Sequence, residues 1–490
     1  MTDTYLSLLK CPLCESNFEL SKELVKVDDK IDWGVIQCAS CNVKYPVAFG
    51  IPILKNPDDF VDVVNDFNTE DDIIQQGLKV KEIVAAIEHG EIKKVKKELL
   101  LVRFPRTNLK RYRSNKKSST LDTKLTRVLP SKLVKLIGKR NLYLVYWLLS
   151  KLLLKNLRYK KREETTYGYL LKQETAADFI NLYFKQSGQS VLNEYFTNRF
   201  GMPRHLAGLS LLSVLPKDKR PLLDIACGTG HYMHYFSKRN NNQPVIGMDR
   251  TFAQLYIAKK FICPEGNYFC AEADQKLPFK NGFFSGVYCS DAFQYFPNRD
   301  STTSEMKRVL AKDGTICIAR VSSQYNKLYI GNAVITPKQL KSYFKELLSV
   351  VLDEDDLLEG YLKKTGPNLK SEQSEEKFDK IVWSYIVASN NKNIFKIHSQ
   401  FTDWPHAIGN LKLNPLYHQI SHDDRGNLIY EFKFPSGWYE YENHAWLRYA
   451  PKSVNLTKEV LNDIKAGKRT KEVNDLISKF VVLGMPEKYM

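Results

Sequence analysis

Cysteine is the first residue type in the chain whose spacing could do chemistry. "LLKCPLCESNFEL" and "IQCASCNVKYPVAFGIPIL" place Cys11, Cys14, Cys38 and Cys41 as two Cys-x-x-Cys knuckles with 23 residues between them. Four soft thiolates can close a tetrahedron around zinc, and a closed set leaves no open position for catalysis. A pair of disulfides, or a site that has lost its metal, would use the same residues. "YLSLL" at Tyr5 is too short for a signal peptide, so a reduced, cytoplasmic setting is expected, and it favours zinc.

The second cluster is "LLDIACGTGHYMHYF", which begins at Leu222. An apolar run delivers Asp224, and Gly228 and Gly230 then let backbone approach a ligand with no Cβ in the way. A helical pattern follows. The dinucleotide fingerprint Gly-x-Gly-x-x-Gly is not met, because Met233 stands where its last glycine would be. Two more acids close later strand-like runs: Asp249 in "PVIGMDRT", 25 residues after Asp224, and Asp274 in "NYFCAEADQ". An acid at the Asp249 position can accept both hydroxyls of a ribose. Taken singly, each acid could be a strand-end cap or a solvated turn residue, and each glycine a turn former.

Their order is more informative than any member. Asp-x-x-Cys-Gly-x-Gly, then Asp249, Asp274, an "LPF" loop, a strand from Val287 and "EMKRVLAKDGTICIARV" with its Asp313-Gly314 turn resemble the class I S-adenosylmethionine-dependent methyltransferases. The resemblance implies an α/β, Rossmann-like core. It implies S-adenosylmethionine held by Asp224, Ala226, Gly228, Gly230, Asp249, Arg250, Ala273, Asp274 and Ser290, with Asp249 at the ribose and Asp274 facing the adenine amino group. "NEYFTNRFGMPRHLAGLSLL" reads as a helix broken at Pro203; in the family such helices cover the cofactor and touch the acceptor, which singles out Tyr195, Phe196 and Arg199. Methyl transfer from a sulfonium needs no metal and gains mostly from orientation. A base is needed only for a hydroxyl or carbon acceptor. The candidates are His231, Asp291 and Tyr295, with His234 beside them. Ser285 and Gln294 depart from the family pattern, where Asp and His are frequent. The first 55 or so residues resemble small zinc-ribbon proteins that activate methyltransferases, through the four cysteines and "YPVAFGIPIL".

At 490 residues and 43% hydrophobic content the chain is long enough for two or three packed domains. The expected division is a zinc ribbon over 1–58, a linker and basic helical insertion over 59–165, a methyltransferase domain over 166–390, and a β-rich C-terminal appendage over 391–490. That last segment is read from polar–apolar alternation around "DDRGN". Its histidines, His406, His418, His422 and His444, fit no metal spacing. Residues 91–165 carry 23 Lys/Arg against 5 Asp/Glu, an excess that equals the net charge of the whole chain, +18.

Three readings of that segment compete: a solvated helical subdomain, an anionic membrane surface met by 91–165, and nucleic acid. "LYLVYWLLSKLLL" has 13 residues where a bilayer span needs about twenty. The basic run lacks the regularly interleaved aromatics of a stacking platform, and "SDAFQY" replaces the Asn/Asp-Pro-Pro-Tyr motif of base- and amide-directed enzymes. The leading expectation is therefore methyl transfer to a small-molecule or lipid-like acceptor, cytoplasmic with a peripheral membrane contact. RNA methylation comes second and a catalytically weak partner protein third.

Overall fold

The computed structural model describes residues 1–64, 75–100, 165–186, 190–239, 243–326, 334–370, 378, 380–398 and 404–490. Residues 101–164, most of the basic segment, fall outside the described residues, and with them the 142–154 apolar run. The described start of that segment, Ile92–Leu100, is a helix that buries Val95, Leu99 and Leu100.

Four antiparallel strands form the N-terminal sheet: β1 (Phe18–Val27), β2 (Lys30–Cys38), β3 (Lys44–Ala48) and β4 (Ile51–Pro52), in that order. A short hairpin, β5 (Phe60–Val64) with β6 (Gln75–Lys79), follows. The large sheet comprises β7 (Leu222–Ile225), β8 (Val245–Asp249), β9 (Asn267–Cys270), β10 (Phe284–Ser290), β11 (Leu310–Ser322), β12 (Leu348–Asp353) and β13 (Trp383–Ser389). Its order is β12-β13-β11-β10-β7-β8-β9. Strands β7 to β11 pair in parallel, whereas β13 runs antiparallel to both neighbours.

Parallel strands covered on both faces must be apolar throughout, and β7 is buried at every position. Strand order reverses between β7 and β10, so the loops leaving those strands diverge and open a crevice at their C-terminal ends. The site lies there. Beyond residue 390 come β14 (Asn410–Leu413), β15 (Tyr417–His422), β16 (Leu428–Phe432), β17 (Ser453–Leu456) and β18 (Val482–Met485), with three α-helices among them, Gly437–Asn443, Lys458–Lys465 and Lys471–Ser478. This part does not stand apart. Tyr489 reaches the Phe196 and Thr197 carbonyls with its hydroxyl at 2.6 and 2.9 Å.

The N-terminal sheet closes the open edge of the large one. Ile53 bridges Cys270 of β9 in parallel fashion, and the Leu54 N–H donates to the Cys270 carbonyl at 2.8 Å. An unpaired edge strand is a template for aggregation, and this pairing covers it. Phe49 packs against Tyr256 with ring centroids 4.7 Å apart. Lys55, only 2% exposed, meets Glu272 at 2.6 Å. Removing one partner of a buried pair strands the other. Because Glu272 is partly exposed and also neighbours Arg250, Lys55→Ala should cost about 2 kcal/mol, less than the full buried-pair penalty. Thermal melting should show the loss, whereas Lys81→Ala, which breaks an exposed pair with Asp58, should melt like the parent.

Candidate functional site

One cavity runs along the crevice, and it gathers the sequence candidates. Tyr195, Phe196, Arg199, Asp224, Ala226, Gly228, His231, Asp249, Arg250, Ala273, Asp274, Ser290, Asp291 and Tyr295 all line it. Gly230 does not. It lies at φ +84° with an added Cβ only 2.8 Å from the Ala258 Cβ, so it serves close helix packing behind the loop.

The turn after β7 takes three positive φ values, 55° at Ala226, 56° at Gly228 and 84° at Gly230. Such backbone outside glycine stores strain, which at Ala226 sits on the cavity wall. A Cβ at Gly228 would come 3.2 Å from Gln254 Oε1 and 3.4 Å from Phe196, so the loop is bare where a ligand would lie. Asp224 is buried at the end of β7, and its Oδ2 has no hydrogen-bond partner among the described residues. Burial, helped by the Asp249 charge, pushes its carboxyl well above the ordinary range.

Asp249 ends β8 and ties the loop to the second strand. Its Oδ2 accepts from the Gly228 N–H at 3.0 Å and its Oδ1 from the Thr251 N–H at 2.8 Å. Burial outweighs both bonds and raises the carboxyl to about 6. Asp274 lies four residues past β9, with its main-chain carbonyl accepting from Ser301 Oγ. Three acids thus stand at or just past the ends of three adjacent strands.

The wall nearest β10 is ionic. Asp291, at φ +57°, accepts from Tyr195 Oη at 3.0 Å and Arg204 Nη1 at 3.4 Å on one oxygen, and from Arg320 Nη1 at 3.2 Å on the other. Burial alone would raise this carboxyl, but Arg320, Arg204 and Arg199 together hold it below the ordinary range. Glu442, from the C-terminal part, bridges Arg204 Nη2 at 2.6 Å and Arg320 Nη2 at 3.3 Å. Glu354 accepts from Arg320 Nε at 3.1 Å. Arg199, 5% exposed, lies over the Tyr195 ring at 4.5 Å, and its Nη1 has no hydrogen-bond partner among the described residues.

His231 is committed elsewhere. Its Nδ1 lies 3.0 Å from Thr229 Oγ1 and its Nε2 3.1 Å from Tyr489 Oη. With the Tyr489 proton directed at the Phe196 carbonyl, Nε2 carries hydrogen and Nδ1 accepts from Thr229. Burial holds the ring neutral. His234 is likewise buried, bonded to the Ile408 carbonyl and lowered to about 4 by desolvation.

Sequence reasoning missed Arg204, Arg320, Glu442 and Trp438. Arg204 and Arg320 lie within stretches already read for their helix and strand, but nothing in those stretches points to their pairing; Arg204 and Glu442 are 238 residues apart in the chain.

The four cysteines converge at the tip of the N-terminal sheet, their sulfurs all within 4.8 Å of one another. Both knuckles repeat one backbone pattern. Cys11 N–H donates to the Ser16 carbonyl and Cys38 N–H to Val43, while Glu15 and Asn42 donate back to the cysteine carbonyls. Glu15 and Asn42 share positive φ, 63° and 59°. The nearest sulfur pairs, at 3.3 and 3.7 Å, are too far apart for disulfides, which need about 2 Å.

Residues 223–318 match the family described as "Methyltransferase domain". Demethylmenaquinone methyltransferase of Thermotoga maritima is 25% identical over 132 residues, 27% of this chain and 57% of the relative. The enzyme of that name from Thermus thermophilus is 31% identical over 106 residues, 21% of this chain and 48% of the relative. The chain thus spans about half the length of these curated relatives. The solved structure of Haemonchus contortus phosphoethanolamine N-methyltransferase 2 with S-adenosyl-L-methionine aligns over 44% of this chain and 60% of that one, at 17% identity and a TM-score of 0.31. Strand order with a reversed β13, the glycine turn after β7 and the family match identify the centre of the chain as a class I S-adenosylmethionine-dependent methyltransferase domain.

Proposed function

We propose that the protein transfers a methyl group from S-adenosylmethionine to a small, apolar or lipid-like acceptor. The observation that carries this reading is the row of Asp224, Asp249 and Asp274 in one cavity with the bare turn at Gly228. The unpartnered polar atoms fit such a donor. Asp249 faces the place of the ribose, and the Asp224 and Arg199 atoms without partners suit an amino group and a carboxylate. When bound, the sulfonium supplies an activated methyl group. The chain's own residues orient the acceptor and exclude water.

Asp291 is a poor general base, because its arginines favour the ionised form. The acceptor therefore has to be acidic itself, or already a nucleophile, and Asp291 receives little of its proton. His231 holds the turn through Thr229 and holds Tyr489 against the helix Ser190–Thr197. Val191, Leu192, Phe296, Pro297 and Trp438 give the outer cavity an apolar lining, which favours an apolar acceptor. Labelled donor offered with fractionated extracts should put methyl into the lipid or small-molecule fraction. Label in RNA instead would replace the reading with its alternative.

Asp249 supplies a pH test. Ribose hydroxyls donating to it would lower its pKa in the complex, so binding should release a proton. Affinity for S-adenosylhomocysteine should be level above about pH 6.5 and fall by up to about tenfold per unit below 6. In the free protein the same raised pKa works against the fold: stability present below about pH 4 is lost as pH rises through 6. Asp249→Asn should bind at least about tenfold more weakly, with a flat pH profile. Calorimetry reads both, and a pH-independent wild type would remove Asp249 from the ribose site.

We also propose that the four cysteines hold a structural zinc ion. Elemental analysis of protein purified under reducing conditions should find zinc in equimolar amount. Cys38→Ser should release it and lower the melting temperature of the N-terminal sheet.

A further inference from the structure

Glu442 and Trp438 belong to the helix Gly437–Asn443, far outside the family match at 223–318. Ser436 caps it, accepting from the Tyr439 N–H at 3.1 Å. Three side chains spaced by three residues fix one face of this turn of chain to the segment before the core. Ser436 Oγ donates to Glu194 Oε2 at 2.5 Å, Tyr439 Oη donates to the Asn198 carbonyl at 3.3 Å, and Glu442 takes Arg204 at 2.6 Å. Trp438 falls off that face and joins Val191, Leu192, Tyr195 and Phe296 around the cavity mouth.

Trp438 is 36% exposed, although an anchored helix could have carried a polar residue there. A large apolar side chain held at a cavity rim is an informative exposure. Through Glu442 the helix is bonded to Arg204 and Arg320, the arginines that pair with Asp291, so Trp438 is carried by the ionic cluster at Asp291. The charges beneath it cancel: Arg199, Arg204 and Arg320 stand against Asp291, Glu354 and Glu442. A balanced floor offers no net attraction to a polyanion.

We infer that Trp438 is an acceptor-contacting wall, stacking on a planar, uncharged, apolar body whose nucleophile reaches inward past Tyr195. This deepens the methyltransferase reading and rests on it for the word acceptor.

The test uses the full chain saturated with S-adenosylhomocysteine, and N-phenyl-1-naphthylamine, a neutral planar dye that brightens in apolar surroundings. Wild type should bind it saturably, Trp438→Ala about fivefold more weakly, and Trp438→Phe much like wild type. S-adenosylhomocysteine affinity should be equal in all three. The sulfonated analogue 8-anilinonaphthalene-1-sulfonate should bind more weakly than the neutral dye. Equal dye affinity in wild type and Trp438→Ala, no dye binding by wild type, or preference for the sulfonate would overturn the inference. So would a parallel loss of S-adenosylhomocysteine affinity in Trp438→Ala, which would place the indole at the donor. A chain that binds dye through Trp438 but never binds S-adenosylhomocysteine would instead sink the methyltransferase reading and leave the apolar wall standing.

Discussion

A carboxylate cannot be buried at the end of β10 unless something cancels its charge. Desolvating an ion costs several kcal/mol even after relaxation, and only close, well-bonded partners offset it. Asp291 obtains those partners from two stretches of chain, Tyr195 and Arg204 before the core and Arg320 from β11, and Glu442 from a third stretch balances the second arginine charge. Removing any one leaves the others buried and unmatched. The placement of the helix Ser190–Thr197, the C-terminal part and the cavity mouth is thus set by one ionic cluster. Positive φ at both Asp291 and Arg320 fits this picture, since local strain persists only where surrounding bonds over-determine it.

The same residue type behaves oppositely along one sheet. Asp249 has two main-chain donors and, among the described residues, no cation bonded to its carboxyl, so burial outweighs these bonds and the nearby Arg250 charge and the carboxyl rises to about 6. Asp291 has arginines on both oxygens, so charge wins and its carboxyl falls. An acid that is costly to ionise when empty gains most from a ligand that donates to it; an acid already paired gains little. The electrostatics therefore divide the cavity into an end at β8, proposed above to bind the donor, and a charge-paired end at β10.

Much of the binding end was legible in the sequence, because its signals are local. The turn after Asp224 takes positive φ at every second residue from Ala226 to Gly230, which favours glycine at two of the three, and parallel strands need unbroken apolar runs before each acid. The cysteine quartet is equally local, two knuckles whose sulfurs meet through one hairpin. Partners at the other end were not legible. Arg204 and Glu442 meet only because the C-terminal part folds back, and neither residue's neighbours announce it. Nor did the strand pattern show that β13 would insert between β11 and β12, since an apolar run carries no direction. The alternating residues after 390 did read as strands, yet "GWYEYEN" within them forms the helix that matters most to the cavity.

Both ends of the cavity are finished by segments outside the matched 223–318. At β9 the N-terminal sheet pairs along the edge, and Lys55 meets Glu272, which lines the cavity and neighbours Arg250. At β10 the helix Gly437–Asn443 supplies Glu442 and Trp438. The matched stretch carries Asp224, Asp249 and Asp274, the acids proposed above to hold the donor. An acceptor can vary without disturbing them, provided its walls come from elsewhere in the chain. Trp438 is such a wall: it sits on a helix bonded to the ionic cluster, so its position is fixed as firmly as Asp291, yet it belongs to no strand of the sheet. If the proposed roles hold, acceptor specificity lies with the chain added around the matched strands, and the acceptor is to be sought through Trp438 and its neighbours.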